Sequence, residues 1–249
     1  MTMRPLLLAI FLLPLLVQAA PVFKATVVKR IPHSRSDFTQ GLEIHDGILY
    51  QSTGQYGASK LQTFKLEDGS LLAERELEPQ LFGEGITLFE GNIYQLTWRS
   101  GRVLIYRRES LQPAGEFTIP GEGWGLTNNG NELIYSDGSD QLHVISPQGM
   151  HLRSIPVRHR GRPVQRLNEL EWTPEYILAN VWGSDWIVMI DPGSGNVIGR
   201  IDTAGLLPRR ERKPGTGVLN GIARNPQTGQ LWLTGKNWPW LYQIDLKEK

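Results

Sequence analysis

The sequence predicts an all-β protein, a single five-bladed β-propeller. Three observations carry that expectation. Five short segments repeat one pattern: a polar or aromatic residue, then Gly or Glu, then Leu or Ile. They are Gln40-Gly41-Leu42, Glu84-Gly85-Ile86, Trp124-Gly125-Leu126, Asn168-Glu169-Leu170 and Asn220-Gly221-Ile222. Their middle residues lie 44, 40, 44 and 52 positions apart, and each is followed by further β-rich runs. A period of about 40–45 residues carrying four strands is that of a propeller blade. Composition agrees: 27 glycines and 8 tryptophans in 249 residues suit a turn-rich β chain.

Residues 1–20 read as a secretory leader ahead of one domain at 21–249. Arg4 supplies a positive start, 6–17 is an apolar run of 12, and Gln18-Ala19-Ala20 offers small residues for cleavage. That run is shorter than the roughly 20 residues a spanning helix needs. An exported protein, periplasmic or secreted, is therefore expected, with no stable membrane insertion after cleavage. Without the leader the chain balances 25 basic against 25 acidic residues, which gives no case for nucleic acid as a partner. The absence of cysteine excludes a disulfide framework, a thiolate zinc site and a cysteine nucleophile.

Within each unit the triplet opens the first strand. Asp46-Gly47, Glu90-Gly91 and Asn129-Gly130 then form hairpin turns, where Gly or Asn accepts a positive φ. Second strands follow at 48–51, 92–95, 132–135, 176–179 and 230–233, and third runs such as 103–106 and 186–190 come next. A fourth run closes units one to four, as at 196–201 after Asp191-Pro192-Gly193-Ser194-Gly195. The fifth unit stops near Leu246 after three strands. The β-rich segment 25–31 is expected to supply its missing outer strand and so close the ring.

The repeat register also locates a site. Thirteen residues after each middle position stand Gly54, Trp98, Gly138 and Trp182. The fifth unit has a turn two residues longer, which places Lys236 there. A strand, a turn and a returning strand bring this position back beside the triplet. Gln40, Glu84, Trp124, Asn168 and Asn220 should therefore share one end of a central channel with Trp98, Trp182 and Lys236. A carboxylate, an ammonium, amides and indoles converging in one cavity have the form of a small-molecule site. Trp172, Trp186 and Trp232 fall off this register and are expected to pack between blades.

These residues carry a resemblance. The chain resembles the plant-type glutaminyl cyclases, the glutaminyl-peptide cyclotransferases, which also occur in bacteria. The matching motifs are Phe38-Thr39-Gln40-Gly41-Leu42, Phe82-Gly83-Glu84-Gly85-Ile86-Thr87, Thr97-Trp98, Trp124-Gly125-Leu126-Thr127, Ser136-Asp137-Gly138-Ser139, Leu167-Asn168-Glu169-Leu170-Glu171, Ala179-Asn180-Val181-Trp182, Val218-Leu219-Asn220-Gly221-Ile222-Ala223 and Thr234-Gly235-Lys236-Asn237-Trp238-Pro239. They run in order across nearly the whole chain after the leader. The resemblance implies a five-bladed propeller that converts the N-terminal glutamine of a peptide or protein into pyroglutamate and releases ammonia. It places site residues at Phe38, Gln40, Glu84, Trp98, Trp124, Asn168, Trp182 and Lys236. Metals of plant relatives are not carried over to this chain.

The chemistry suits these residue types. The substrate's α-amine must be neutral to attack its own γ-amide carbonyl, and the leaving ammonia must gain a proton. Glu84, enclosed by indoles, should have its charged form disfavoured and serve as general acid and base. Gln40 or Lys236 would donate to the γ-carbonyl oxygen as it becomes negative. Asn168 would orient the glutamine, and Phe38, Trp98, Trp124 and Trp182 would wall the pocket, with Asn220 a further substrate contact or a turn residue. The cyclisation is intramolecular, so no cofactor, metal or enzyme nucleophile is expected, and a monomer suffices. Competing roles are a structural acid for Glu84 and an inter-blade ion pair for Lys236 with Glu84 or Glu169.

Other chemistry is missing from the sequence. The five histidines have no metal-ligand spacing, and neither a Gly-x-Ser-x-Gly elbow nor a phosphate loop is present. Two arginine-rich stretches, 158–166 and 208–213, read as solvated loops that would favour acidic peptides if they flank the channel mouth. The rival readings are a non-catalytic propeller that binds a peptide or protein in its channel, and a metal-dependent lactonase. The lactonase would need more acids than Glu84 and Glu169 on the ring.

Overall fold

The computed structural model describes residues 20–249, so the expected leader lies, up to its last residue, outside the described residues. Strands dominate the described chain, with one 3-10 turn at Arg209–Glu211. No helix among the described residues is long and apolar enough to cross a membrane.

Three four-stranded antiparallel sheets follow the chain in order. The first takes Thr39–His45, Ile48–Thr53, Lys60–Lys65 and Leu71–Glu76. The second takes Gly83–Phe89, Asn92–Thr97, Arg102–Arg107 and Pro113–Thr118. Leu126–Asn128, Leu133–Ser136, Gln141–Ile145 and His151–Pro156 make the third. The remaining long strands form one eight-stranded sheet. Half of it is Leu167–Trp172, Ile177–Val181, Trp186–Ile190 and Val197–Asp202. The other half is Val22–Pro32, Trp240–Glu248, Leu231–Gly235 and Leu219–Arg224. A two-stranded hairpin, Arg158–His159 with Arg162–Pro163, forms a small sheet of its own and bridges from Arg158 to Asn196.

The N-terminal strand pairs antiparallel with the last strand, with Ala25 opposite Leu246 and Ile31 opposite Leu241. It is longer than the sequence suggests. Its first residues, Val22 to Lys24, also pair parallel with Arg200 to Asp202. That second ladder fuses two four-stranded halves into one sheet. Both ends of the described residues are therefore held by backbone hydrogen bonds, without a covalent tie.

The first strands touch in turn. Thr39–His45 contacts Gly83–Phe89, which contacts Leu126–Asn128. That strand contacts Leu167–Trp172, then comes Leu219–Arg224, which returns to Thr39–His45. The motif glycines make this closeness possible. A Cβ on Gly41 would stand 2.6 Å from Ile86 N, and one on Gly85 2.5 Å from Leu126 N. Glu169 takes the glycine position in the fourth triplet. Its fully buried carboxylate accepts from Leu42 N at 3.2 Å and from Ile222 N at 2.7 Å, so it ties the first strands of the first and fifth units.

Apolar packing lies between successive sheets. Leu61 and Tyr50 meet Ile86, Ile93 and Leu104 between the first and second. Leu42 and Leu49 meet Ala223, Trp232 and Leu241, so the last strands pack on the first sheet. Hydrophobic burial between neighbours thus runs around the whole assembly rather than into one central core. The centre is left to polar side chains.

Candidate active site

Four of the first strands carry a β-bulge at the triplet. The register shifts between Thr39 and Gly41, Gly83 and Ile86, Leu167 and Leu170, and Leu219 and Ile222. A bulge re-aims the side chain it releases from the ladder. The released residues include Gln40, Glu84, Asn168 and Asn220, the polar members of the motif.

The expected return of the second strand is visible in backbone bonds. The amides of Gly54, Trp98, Trp182 and Lys236 donate to the carbonyls of Phe38, Phe82, Arg166 and Val218, at 2.8–3.0 Å. Each acceptor lies two residues ahead of the motif's polar residue. Gly138 in the third unit leaves room for Trp124, because a Cβ there would stand 2.7 Å from Trp124 Cη2.

These elements enclose a cavity of about 510 Å³. Phe38, Gln40, Glu84, Trp98, Trp124, Asn168, Trp182 and Lys236 all line it. Phe82, Gly217 and Val218 line it too, and the sequence reading missed them as site residues. Phe82 and Val218 had a signal, for they occupy in their units the place that Phe38 occupies in the first. Asn220 differs from expectation. It is fully buried behind the wall, where its Nδ2 donates to Gln40 Oε1 at 3.0 Å and to Thr39 O at 3.1 Å. It contacts Gln40, not the cavity. Trp172, Trp186 and Trp232 are not among the lining residues.

Glu84 is 4% exposed, and Gln40 Nε2 donates to its Oε1 at 2.8 Å. No other hydrogen-bond donor reaches it among the described residues. Burial raises its carboxyl well above the ordinary range; Lys236 opposes that rise and Glu122 adds to it. Lys236 is 6% exposed, and burial lowers its ammonium while Glu84 pulls it back up. No ion pair within 4 Å links Lys236 to Glu84 or Glu169 among the described residues; its Nζ lies 4.6 Å over the Phe38 ring.

The aromatic wall is fixed from outside by one carboxylate. Glu122 Oε2 accepts from Trp98 Nε1 at 2.7 Å and from Trp124 Nε1 at 3.0 Å. Arg99 pairs with Glu122 at 3.4 Å and lies 4.0 Å over the Trp98 ring. Phe82 meets Trp98 edge-on at 5.4 Å, and Trp124 meets Trp182 edge-on at 6.3 Å. Glu122 also stands two residues before a motif residue, Trp124. Among the described residues no group of three or more His, Asp or Glu side chains is arranged to hold a metal ion.

A buried carboxyl with one amide partner, an ammonium and a ring of indoles can exchange a proton with a small amine or amide while excluding water. Comparison with known proteins places this arrangement. The family model for glutamine cyclotransferase matches residues 6–246. A glutaminyl-peptide cyclotransferase of Arabidopsis thaliana is 38% identical over 230 residues, which cover 89% of this chain and 71% of that protein. The crystal structure of Myxococcus xanthus glutaminyl cyclase superposes with a TM-score of 0.85 at 34% identity, covering 92% of this chain and 99% of that one. Hydrazine synthase of Kuenenia stuttgartiensis, 14% identical with a TM-score of 0.50 over 82% of this chain and 56% of its own, shares the fold alone. With the family model spanning nearly its whole length and two such relatives beside it, this chain belongs to the glutamine cyclotransferase family.

Proposed function

We propose that the protein is an exported glutaminyl-peptide cyclotransferase, built as a five-bladed propeller, that turns N-terminal glutamine into pyroglutamate in the cavity around Glu84. The observation that carries this reading is the burial of Glu84. Its carboxyl is buried, raised, and held by a single donor at the centre of an indole-walled cavity. Four-stranded units whose first strands touch in a cycle support the propeller, and the apolar run 6–17 supports export.

The chemistry follows from that carboxyl. An α-amine titrates near pH 8, so it arrives mainly as ammonium. Beside a carboxylate of raised pKa, transfer of one proton leaves a neutral amine and a neutral acid at little energetic cost. The amine nitrogen then attacks the γ-carbonyl carbon and the new C–N bond forms. The carbonyl oxygen becomes negative and takes a hydrogen bond from Lys236 or from the Gln40 amide. Glu84 returns its proton to the leaving nitrogen, the carbonyl re-forms as the old C–N bond breaks, and ammonia departs. The ring nitrogen passes its surplus proton back to the Glu84 carboxylate, which hands it to the departing ammonia. Trp98, Trp124, Trp182 and Phe38 hold the side chain folded toward the five-membered ring, which supplies effective concentration without an enzyme nucleophile. Asn168 orients the glutamine.

The test is ammonia release from a Gln-initiated peptide, with and without a chelator, on wild type beside Glu84→Gln. Wild type is expected to turn over in both conditions, and the variant to fall by about 10²–10⁴. Unchanged activity in the variant rejects the acid/base role. A wild type that binds the peptide without releasing ammonia is the non-catalytic binding module.

A further inference from the structure

The connections into the fourth and fifth units carry charge that the cavity chemistry does not use. Segment 157–166 holds Arg158, Arg160, Arg162 and Arg166. Segment 208–213 holds Arg209, Arg210, Arg212 and Lys213 against Glu211. Their formal charges are +4 and +3 in a chain whose total is +1, so the rest of the molecule is net acidic. All of these cations are exposed. Among the described residues only Arg210 has a carboxylate within 4 Å, Glu211 at 3.9 Å. Glu211 is itself engaged by Trp240 Nε1 and Arg30.

Topology leads both segments to the mouth at their last residues; the first segment starts at the outer edge of the fourth unit, where Arg158 N donates to Gly195 O at 3.0 Å. One leads from His151–Pro156 to Leu167–Trp172, the other from Val197–Asp202 to Leu219–Arg224. Each therefore ends where a first strand begins, at the end of the units where the cavity opens. Both join its wall. The Arg166 carbonyl accepts from Trp182 N at 2.8 Å, and the Arg166 guanidinium lies 5.8 Å over the Trp182 ring. The other segment runs into Gly217 and Val218, which line the cavity. Trp182, at 40% exposure, is the most exposed lining residue. The nearby turns contribute Asp137, Asp140 and Asp185, and Asp137 is bound by His143 Nε2 at 3.0 Å.

We propose that the two segments form a basic rim that selects peptides with acidic side chains just after the N-terminal glutamine. This rests on the cyclotransferase reading above. The cavity takes the glutamine, and the rest of the peptide leaves past Trp182 between the two cationic segments. Exposed charges act over a Debye length of about 8 Å at physiological salt, so the rim raises the capture rate of anionic peptides in a salt-dependent way. An anionic peptide is favoured over a membrane or nucleic acid because one rim cation, Arg166, lies against Trp182 of the cavity wall.

The test compares kcat/KM for three amidated peptides, Gln-Gly-Asp-Asp, Gln-Gly-Ser-Ser and Gln-Gly-Lys-Lys. At low salt the acidic peptide is expected to exceed the neutral one by roughly 10-fold and the basic one by more. The gap should close near about 0.5 M salt. The quadruple variant Arg160→Gln, Arg162→Gln, Arg210→Gln, Lys213→Gln should lose the preference and keep the neutral-peptide rate. Equal rates on all three peptides overturn the rim and leave the cyclotransferase reading standing. No turnover of any peptide overturns that reading, and the rim with it. A preference that survives in the variant also overturns the rim. So does loss of binding to anionic phospholipid vesicles in the variant with no peptide preference in wild type, which assigns the charge to a membrane surface.

Discussion

Gln40 donates its side-chain amide to Glu84 Oε1 at 2.8 Å while its own carbonyl accepts from Asn220 Nδ2 at 3.0 Å. Three motif residues from three units thus form one directed chain. Asn220 Nδ2 also donates to Thr39 O, which turns its N–H toward the Gln40 carbonyl and leaves the Gln40 N–H for Glu84. The orientation of the amide next to the carboxyl is set one side chain behind the cavity wall.

Asn220→Ala should therefore act through Gln40. It leaves the Gln40 carbonyl and Thr39 O without their donor, at a cost of about 1–3 kcal/mol in stability. The Gln40 amide is then free to flip its oxygen toward Glu84, and kcat should fall by about 10-fold with a shifted acid limb of the pH profile. Asn220→Ala and Gln40→Ala combined should be clearly non-additive in kcat. Additive effects would show that Asn220 does not orient Gln40.

Glu122 supplies a second prediction. Its one carboxylate oxygen holds the indoles of Trp98 and Trp124. Glu122→Ala should loosen both rings and raise KM by roughly 10-fold, with a smaller loss in kcat and a visible change in tryptophan fluorescence. Glu122→Gln keeps an acceptor and should recover most of the affinity. If both variants keep the wild-type KM, the bridge does not position the wall.

Glu169 tests the ring rather than the chemistry. Its two oxygens satisfy Leu42 N and Ile222 N in the fully buried centre. Glu169→Ala orphans both amides and should lower stability by about 2–5 kcal/mol, read by thermal unfolding. Glu169→Gln retains a carbonyl acceptor and should cost less. A variant as stable as wild type would mean that water reaches these amides.

Stability should also fall as pH rises through the acid-to-neutral range. Burial pushes Glu43 up to about 7, even with its Oε2 accepting from Thr87 Oγ1 and Leu88 N, and burial raises Glu169 and Glu171 as well. In the unfolded chain Glu43 releases its proton near its ordinary value, whereas the folded protein keeps it until about pH 7. The stabilisation is complete below the unfolded value and is lost as pH climbs through the folded one. Glu43→Gln keeps the acceptor and removes the titration. Its stability relative to wild type should rise by about 2–3 kcal/mol between about pH 4.5 and 7. A flat difference across that window would show that Glu43 titrates normally.

Much of this was legible from residue order because the fold is local. Each sheet of the first three units is built from consecutive strands joined by hairpins, so alternation, turns and a regular period were enough to outline them. The bulge positions coincide with the triplets, and the eight residues assigned to the cavity by resemblance all line it. Phe82 was also within reach, because it precedes Glu84 as Phe38 precedes Gln40. Glu122 was not, since its effect depends on two indole N–H groups arriving at one oxygen from different units.

The sequence by itself determined the repeat, the strand order and which side chains the bulges release, because those depend on neighbours along the chain. Only the tertiary structure decided what the released side chains meet. It turned Asn220 away from the cavity and onto Gln40, set the Lys236 ammonium over the face of Phe38 instead of in the competing ion pair, and enclosed Glu84 deeply enough to raise its carboxyl well above the ordinary range. Desolvation and hydrogen-bond direction are properties of surroundings assembled from several units, and no spacing within one unit encodes them.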